Sequence, residues 1–252
     1  MTSNVPLISI ITPAYNAEKT IVKTLQSVLD QSYKNWELII IDDGSSDSTN
    51  FLVSKYKKID SRIKLISQAN SGPALARQAG LNKSKGRFIA FLDSDDVWLP
   101  NKLKYQIEFM IKNSLVFSYT AYRRVQLSNN KLSHKINVPK KMNYEQLLGN
   151  TAIATSTVML DLTRIGMLQM KKCHCDDFVL WLSILKQGNI AYGLNEDLLR
   201  YSILTDSWSR NKWKNAKEVW FTYREIEKLS FFRSMIFFAK YAFNALIKYN
   251  FS

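Results

Sequence analysis

Over the first hundred residues, short runs rich in β-branched and other apolar residues alternate with segments whose apolar residues recur every three or four positions. Residues 7–12, 36–42, 63–67 and 88–92 are β-rich runs, whereas Ile21, Leu25, Val28 and Leu29 have helical spacing. That order predicts a parallel sheet with right-handed crossovers. The fourth run ends in Phe91-Leu-Asp-Ser-Asp-Asp96, three carboxylates within four positions. At the carboxyl end of a buried strand, where open α/β sheets bind ligands, such crowding needs a cation or hydrogen-bond donors to offset it. Oxygen-only ligands suit Mg²⁺ or Mn²⁺ better than Zn²⁺. The alternative is Asp-rich turn and cap chemistry. Asp96 in particular also suits a cap for the helix expected over 101–112.

The turns leaving the first two strands, Pro13-Ala-Tyr-Asn16 and Asp42-Asp-Gly-Ser-Ser-Asp47, are polar and each feeds a helix N-terminus. Gly-x-Gly-x-x-Gly and Gly-x-x-x-x-Gly-Lys are both absent, which disfavours a dinucleotide enzyme or a phosphate-loop NTPase. Later in the chain, residues 155–160 read as a strand. Asp176-Asp177 opens a helix with Phe178, Trp181, Leu182 and Leu185 on one face and Gly188 as its C-cap. Residues 230–249 read as a helix with a narrow polar stripe of Arg233, Lys240, Asn244 and Lys248. Such a helix can lie in a membrane interface or bury its wide apolar face on the sheet domain.

A formal charge of +14 over 252 residues implies an anionic partner: nucleic acid, an anionic membrane surface or a phosphorylated substrate. The excess is concentrated at 98–141, with nine Lys or Arg against Glu108, and at 208–252, with nine against three Glu. No aromatic stacking motif or helix-turn-helix supports nucleic acid. No secretory leader and no apolar stretch of spanning length is read, so the expectation is a cytoplasmic protein and not a polymer-extruding synthase. Cys173 and Cys175 flank His174, an incomplete zinc set that reads as reduced structural cysteines.

Four segments, Ile11-Thr-Pro-Ala-Tyr-Asn16, Ile40-Ile-Asp-Asp-Gly-Ser-Ser-Asp47, Asn70-Ser-Gly-Pro-Ala-Leu-Ala-Arg77 and Phe91-Leu-Asp-Ser-Asp-Asp96, occur in order and at spacings that resemble the family 2 inverting glycosyltransferases of the GT-A fold. The resemblance is close over 7–100 and looser to about residue 209. It implies an α/β GT-A fold, a Rossmann-like, mixed but mostly parallel sheet flanked by helices. Residues 1–209 would form the transferase domain (1–100 the nucleotide-sugar half, 101–209 the acceptor half), and 210–252 a basic helical extension.

The same resemblance implies roles. Thr12, Pro13, Tyr15 and Asp43, with Asp47 nearby, would hold the nucleotide base, although Asp47 equally suits an N-cap for the helix that follows. Arg77 would turn toward the diphosphate, and Asp93 and Ser94 would face ribose and donor sugar. Asp95 would bind Mn²⁺ or Mg²⁺. Asp177, with Asp176 beside it, would be the general base that inversion requires. Gln78 stands where the family usually has Asn, Asp176 where it usually has Glu, and the His often found in the closing loop is missing from 199–209. By overall pattern the chain resembles O-antigen and capsule transferases. The implied reaction moves a hexose from a UDP-sugar to a polyprenyl-diphosphate-linked sugar at the cytoplasmic face of the inner membrane. A catalytically inactive nucleotide-sugar or membrane-binding module is the alternative.

Overall fold

A computed structural model of the chain describes residues 5–150, 152–203 and 212–250. The first half contains β1 (Ile8–Ala14), α1 (Ile21–Leu29), β2 (Trp36–Asp42), α2 (Thr49–Ile59), β3 (Ile63–Ser67), α3 (Pro73–Lys83) and β4 (Phe88–Phe91). All four strands are parallel. β2 is buried at every position, which is why its centre, residues 38–41, is apolar without alternation. On α1, Ile21, Leu25 and Val28 form the buried stripe; each contributes about 1.5–3 kcal/mol of apolar burial. α3 lies close on β1 because residue 80 is glycine: a Cβ there would come within 2.6 Å of Ile11 Cγ2. Arg77, one turn earlier on α3, is thereby held at the carboxyl edge of the sheet.

The second half runs β5 (Val97–Trp98), α4 (Lys102–Lys112), β6 (Phe117–Gln126), β7 (Lys131–Leu132), β8 (Lys141–Met142), α5 (Tyr144–Leu148), a 3₁₀ turn at Thr155–Thr157, β9 (Met159–Asp161), α6 (Leu162–Ile165), α7 (Asp176–Lys186), β10 (Ala191–Ile203), α8 (Lys212–Phe221) and α9 (Phe231–Asn250). The sheet order is β3-β2-β1-β4-β9-β6-β10-β5, with β7 on β6 and β8 on β10. β9 is antiparallel to both of its neighbours, so β6 and β10 point the same way as β1–β4. Their carboxyl ends therefore share one edge, and the site is built there.

The segment expected as a strand over 155–160 is divided. Thr157 N donates to Ala154 O and Val158 N to Thr155 O, closing the 3₁₀ turn before β9 begins. Thr and Ser serve strands and turns alike, so their side chains did not mark the boundary. Trp181 of α7 packs between Phe91 and Phe117 at ring separations of 5.6 and 5.3 Å, joining the two halves in one core. Gly188, at φ +87°, follows α7 as expected of its C-cap region.

The basic stretch 98–141 is not uniformly a surface. Lys102 is fully buried, its Nζ 3.8 Å from the Trp98 ring centroid and without a hydrogen-bond partner among the described residues. Burial pushes its pKa well below the lysine range. The unfolded chain therefore binds the extra proton, and stability rises with pH until the ordinary lysine pKa is reached. Lys102→Met is expected to add about 1–3 kcal/mol at neutral pH by removing an unsatisfied buried amine. It should also flatten that pH slope in denaturant titrations; an unchanged slope would mean the amine stays charged.

α9 packs by the face that carries Ser234 and Phe237, with Phe238 and Tyr241 beside them and polar contacts along its edge. Arg233 pairs with Glu145 at 2.9 Å, and Asn244 Nδ2 donates to Gly149 O at 2.8 Å. Phe237 is buried in the core cluster shared with α5 and α7, and Trp220 of α8 meets Phe238 edge-on at 5.6 Å. The opposite face exposes Phe232, Met235, Ile236 and Phe243, at 79%, 53%, 55% and 63%. The helix thus carries two apolar stripes, one packed on protein around Phe237 and one facing outward, with Lys240 on a border between them. No helix of the described residues is long and apolar enough to cross a membrane.

Candidate active site

The first wall of the site is two interlocked loops. After β1, Asn16 takes a left-handed φ of +47°. Its N–H donates to Ser45 Oγ, and its Oδ1 accepts from Ser46 N at 2.9 Å. Asp47 accepts from Thr49 N at 2.9 Å and from Glu18 N at 3.0 Å. Hydrogen bonds from those amides, and from the Thr49 hydroxyl, hold its carboxyl below the usual range against partial desolvation. Asp47 therefore braces α2 and the β1 loop from one residue before the N-cap position, which Ser48 occupies. Asp43 is buried and accepts from Gln68 Nε2 at 2.7 Å, Ser71 N at 2.9 Å and Gly72 N at 2.8 Å, which fixes the loop entering α3. Gly44, at φ +75°, admits this loop, since a Cβ would meet Asn70 N at 2.9 Å. Thr12 is buried with Oγ1 unpartnered among the described residues, while the adjacent Tyr15 ring is 53% exposed.

The acidic turn forms the floor. Asp93 is half-buried, and its N–H donates to Ser156 Oγ at 3.0 Å. Thr24 Oγ1 donates to Ser94 O and Asp96 O, pinning the turn to α1. Asp96 is not the cap of α4; it is buried, with Oδ1 accepting from Ser202 N of β10 at 2.8 Å and Oδ2 without a partner among the described residues. Ser202 Oγ also donates to Asp95 O. Burial, then the neighbouring Asp93, pushes the Asp95 carboxyl up to about 7. Burial, then Asp95 and Asp93, drives Asp96 up as well.

Such uncompensated carboxylates fit a hard divalent cation. Among the described residues no three His, Cys, Asp or Glu side chains are grouped to hold a metal.

The opposite wall is the N-terminus of α7. Asp176 is buried and ion-paired with Arg77 Nη1 at 2.8 Å, while Arg77 Nη2 reaches Asp93 at 2.7 Å. Arg77 thus joins the acidic turn to α7 and is not turned into open space toward a diphosphate. Burial works against its charge, but Asp93, Asp176 and Asp177 outweigh that and raise its pKa. Asp176 is pushed up to about 6 by burial, although Arg77 opposes the shift.

Asp177 is half-buried, and its Oδ2 accepts from Thr155 Oγ1 at 2.6 Å. The 3₁₀ turn is therefore the link that sequence reading missed: Ser156 holds Asp93, and Thr155 holds Asp177. Trp98 Nε1 donates to Ser156 O at 2.8 Å and anchors the turn from below. No local signal marked it, since Thr and Ser at 155–157 suit a strand and a turn alike.

Gln78 accepts from Met170 N at 2.7 Å, positioning the segment that leads into α7. His174 Nε2 lies 3.0 Å from Asn215 Oδ1. Cys173 and Cys175 are unbridged, and burial, then nearby carboxylates, pushes their thiols up to about 11 and about 12, so both stay protonated at neutral pH. Of the closing loop over 199–209, residues 204–209 lie outside the described residues.

A mixed sheet of this order, with an Asp-Ser-Asp turn on the shared strand edge, is the GT-A fold. The mannosyltransferase PcManGT from Pyrobaculum calidifontis, solved in complex with GDP-Man and Mn²⁺, superposes with a TM-score of 0.69 at 16% identity, covering 89% of this chain and 65% of that one. Residues 9–163 match the family model for glycosyl transferase family 2, and the chain belongs to that family. It is 46% identical over 250 residues to TuaG of Bacillus subtilis (strain 168), a glycosyltransferase named for teichuronic acid biosynthesis, covering 98% of this chain and 99% of that protein. It is also 45% identical over 217 residues to WfgD of Escherichia coli, named as a UDP-Glc:alpha-D-GlcNAc-diphosphoundecaprenol beta-1,3-glucosyltransferase, covering 85% and 84%.

Proposed function

We propose that this glycosyltransferase moves a hexose, Glc or Gal, from a UDP-sugar to a lipid-diphosphate-linked sugar such as GlcNAc-diphosphoundecaprenol, with inversion to a β-linkage, of β1,3 type, in surface polysaccharide assembly. The observation that carries the reading is the Thr155–Thr157 turn, which braces the Asp93 backbone and the Asp177 side chain from adjacent residues. A leaving diphosphate held at the acidic turn and an attacking hydroxyl at Asp177 would then sit on opposite sides of one sugar. The likeness to WfgD supports the UDP-sugar donor and the diphosphoundecaprenol acceptor.

In this reading Thr12, Pro13 and Tyr15 line the uracil side, Asp43 and Asp47 shape the loops around it, and Asp93 and Ser94 face ribose and sugar. Asp95 would hold Mn²⁺ or Mg²⁺, which as a Lewis acid would stabilise the departing diphosphate. Arg77 acts by positioning Asp93 and Asp176. Asp177 accepts the proton of the attacking hydroxyl, and Asp176, committed to Arg77, keeps the N-terminus of α7 in place. The 210–252 segment gives peripheral contact with the cytoplasmic face of the inner membrane, where such acceptors reside, through the exposed apolar stripe of α9.

Incubation of the protein and Mn²⁺ with UDP-Glc, UDP-Gal or UDP-GlcNAc and a short-chain GlcNAc-diphosphate lipid tests the proposal, with the product mass and its linkage by NMR as readout. One UDP-hexose should be transferred; transfer only to acceptors without diphosphate would overturn it. Thr155→Val keeps the shape but removes the donor to Asp177. A hydrogen bond to a charged group is worth about 1.5–3 kcal/mol, so kcat should fall about 10- to 100-fold with KM for the donor little changed. Thr155→Ser should restore most of it.

A further inference from the structure

Beside α9 lies a groove of about 450 Å³, walled by the β8–α5 corner on one side and by Phe237, Lys240 and Asn244 on the other. Its walls are fixed. Asn143 and Gln146 exchange two hydrogen bonds of 2.9 Å in a capping box at the start of α5. Gly149 lets α9 approach, since a Cβ there would lie 3.0 Å from Lys240 Cβ.

The charges are arranged unequally. Glu145, the one acidic residue lining the groove, is neutralised by Arg233 at 2.9 Å. Lys141 and Lys240 have no ion pair among the described residues; each ammonium instead lies over a ring, 5.5 Å from Tyr192 and 5.6 Å from Phe237. Helical spacing sets Lys240 on a border, with exposed Ile236 and Phe243 along one flank and the groove residues Phe237 and Asn244 along the other. When the apolar stripe enters a bilayer, that border lies at headgroup depth.

We propose that the groove between α9 and the β8–α5 corner binds the phosphate headgroup of an anionic membrane lipid, held by Lys141 and Lys240. This rests on the reading that α9 lies on a membrane, and it adds lipid selectivity to it. Two ammonium groups without carboxylate partners match a phosphate anion. The apolar stripe next to them matches the acyl chains that a free phosphate lacks.

The test is sedimentation of the full chain with vesicles of phosphatidylcholine alone or mixed with phosphatidylglycerol. Lys141→Gln/Lys240→Gln should lose about 10- to 30-fold in affinity for the anionic vesicles, from roughly 1 kcal/mol per lysine, and nothing for the neutral ones. Lys57→Gln/Lys58→Gln on α2 makes the same change in net charge away from this face and should keep wild-type binding. Equal losses in the two double variants, or no loss in the first, would overturn the headgroup site while leaving the membrane reading standing. Phe232→Ser/Phe243→Ser tests that reading separately and should lose both vesicle types. A wild-type chain that binds neither vesicle would end both.

Discussion

Asp177→Asn is expected to bind the UDP-sugar as well as the wild type and to turn it over about 10² to 10⁴ times more slowly. The amide keeps the carboxylate's shape: its oxygen can accept from Phe178 N while its NH2 donates to Thr155 Oγ1, reversing that 2.6 Å hydrogen bond. It cannot take a proton from an attacking hydroxyl, so kcat falls and donor KM does not. Asp176→Asn should behave differently. Its carboxylate is buried against Arg77 at 2.8 Å, and neutralising one member of a buried pair costs about 3–5 kcal/mol. That variant should therefore lose melting temperature first and activity as a consequence. Steady-state kinetics with thermal melts of both variants separate the two; a stable but inactive Asp176→Asn beside an active Asp177→Asn would move the base to Asp176.

Asp95→Ala should lose transfer by at least about 10²-fold, because an ion held by Asp95 on the leaving diphosphate would contribute several kcal/mol to the transition state. The fold should survive. Asp95 sits in a turn held by backbone and hydroxyl contacts from Thr24, Ser156 and Ser202, and its own side chain is crowded by Asp93. A readout independent of turnover is the melting temperature in Mn²⁺ and UDP, which should rise for the wild type and stay flat for the variant. Wild-type activity undiminished by a chelator would remove the metal from the reaction.

The local pattern was sufficient for the strands and helices of the donor half, since each is a short run with its own periodicity and its own turn residues. It was sufficient also for the acidic turn after β4 and the acidic start of α7, because clustered carboxylates stand out in any context. What it could not supply were distances between segments remote in the chain. Arg77 meets Asp176 across 99 residues and Asp93 across 16, so a side chain expected at a diphosphate is a brace between two carboxylates. Asp96 faces Ser202 of β10 and not the helix a few residues ahead. Thr155 and Ser156 read as strand because their propensities fit one; only the packing of β9 between β4 and β6 places them as a turn joining Asp93 to Asp177. The polar stripe of α9 was visible, but which side met protein was not. Amphipathicity gives a helix two faces, and the surface it docks on decides which of them remains exposed.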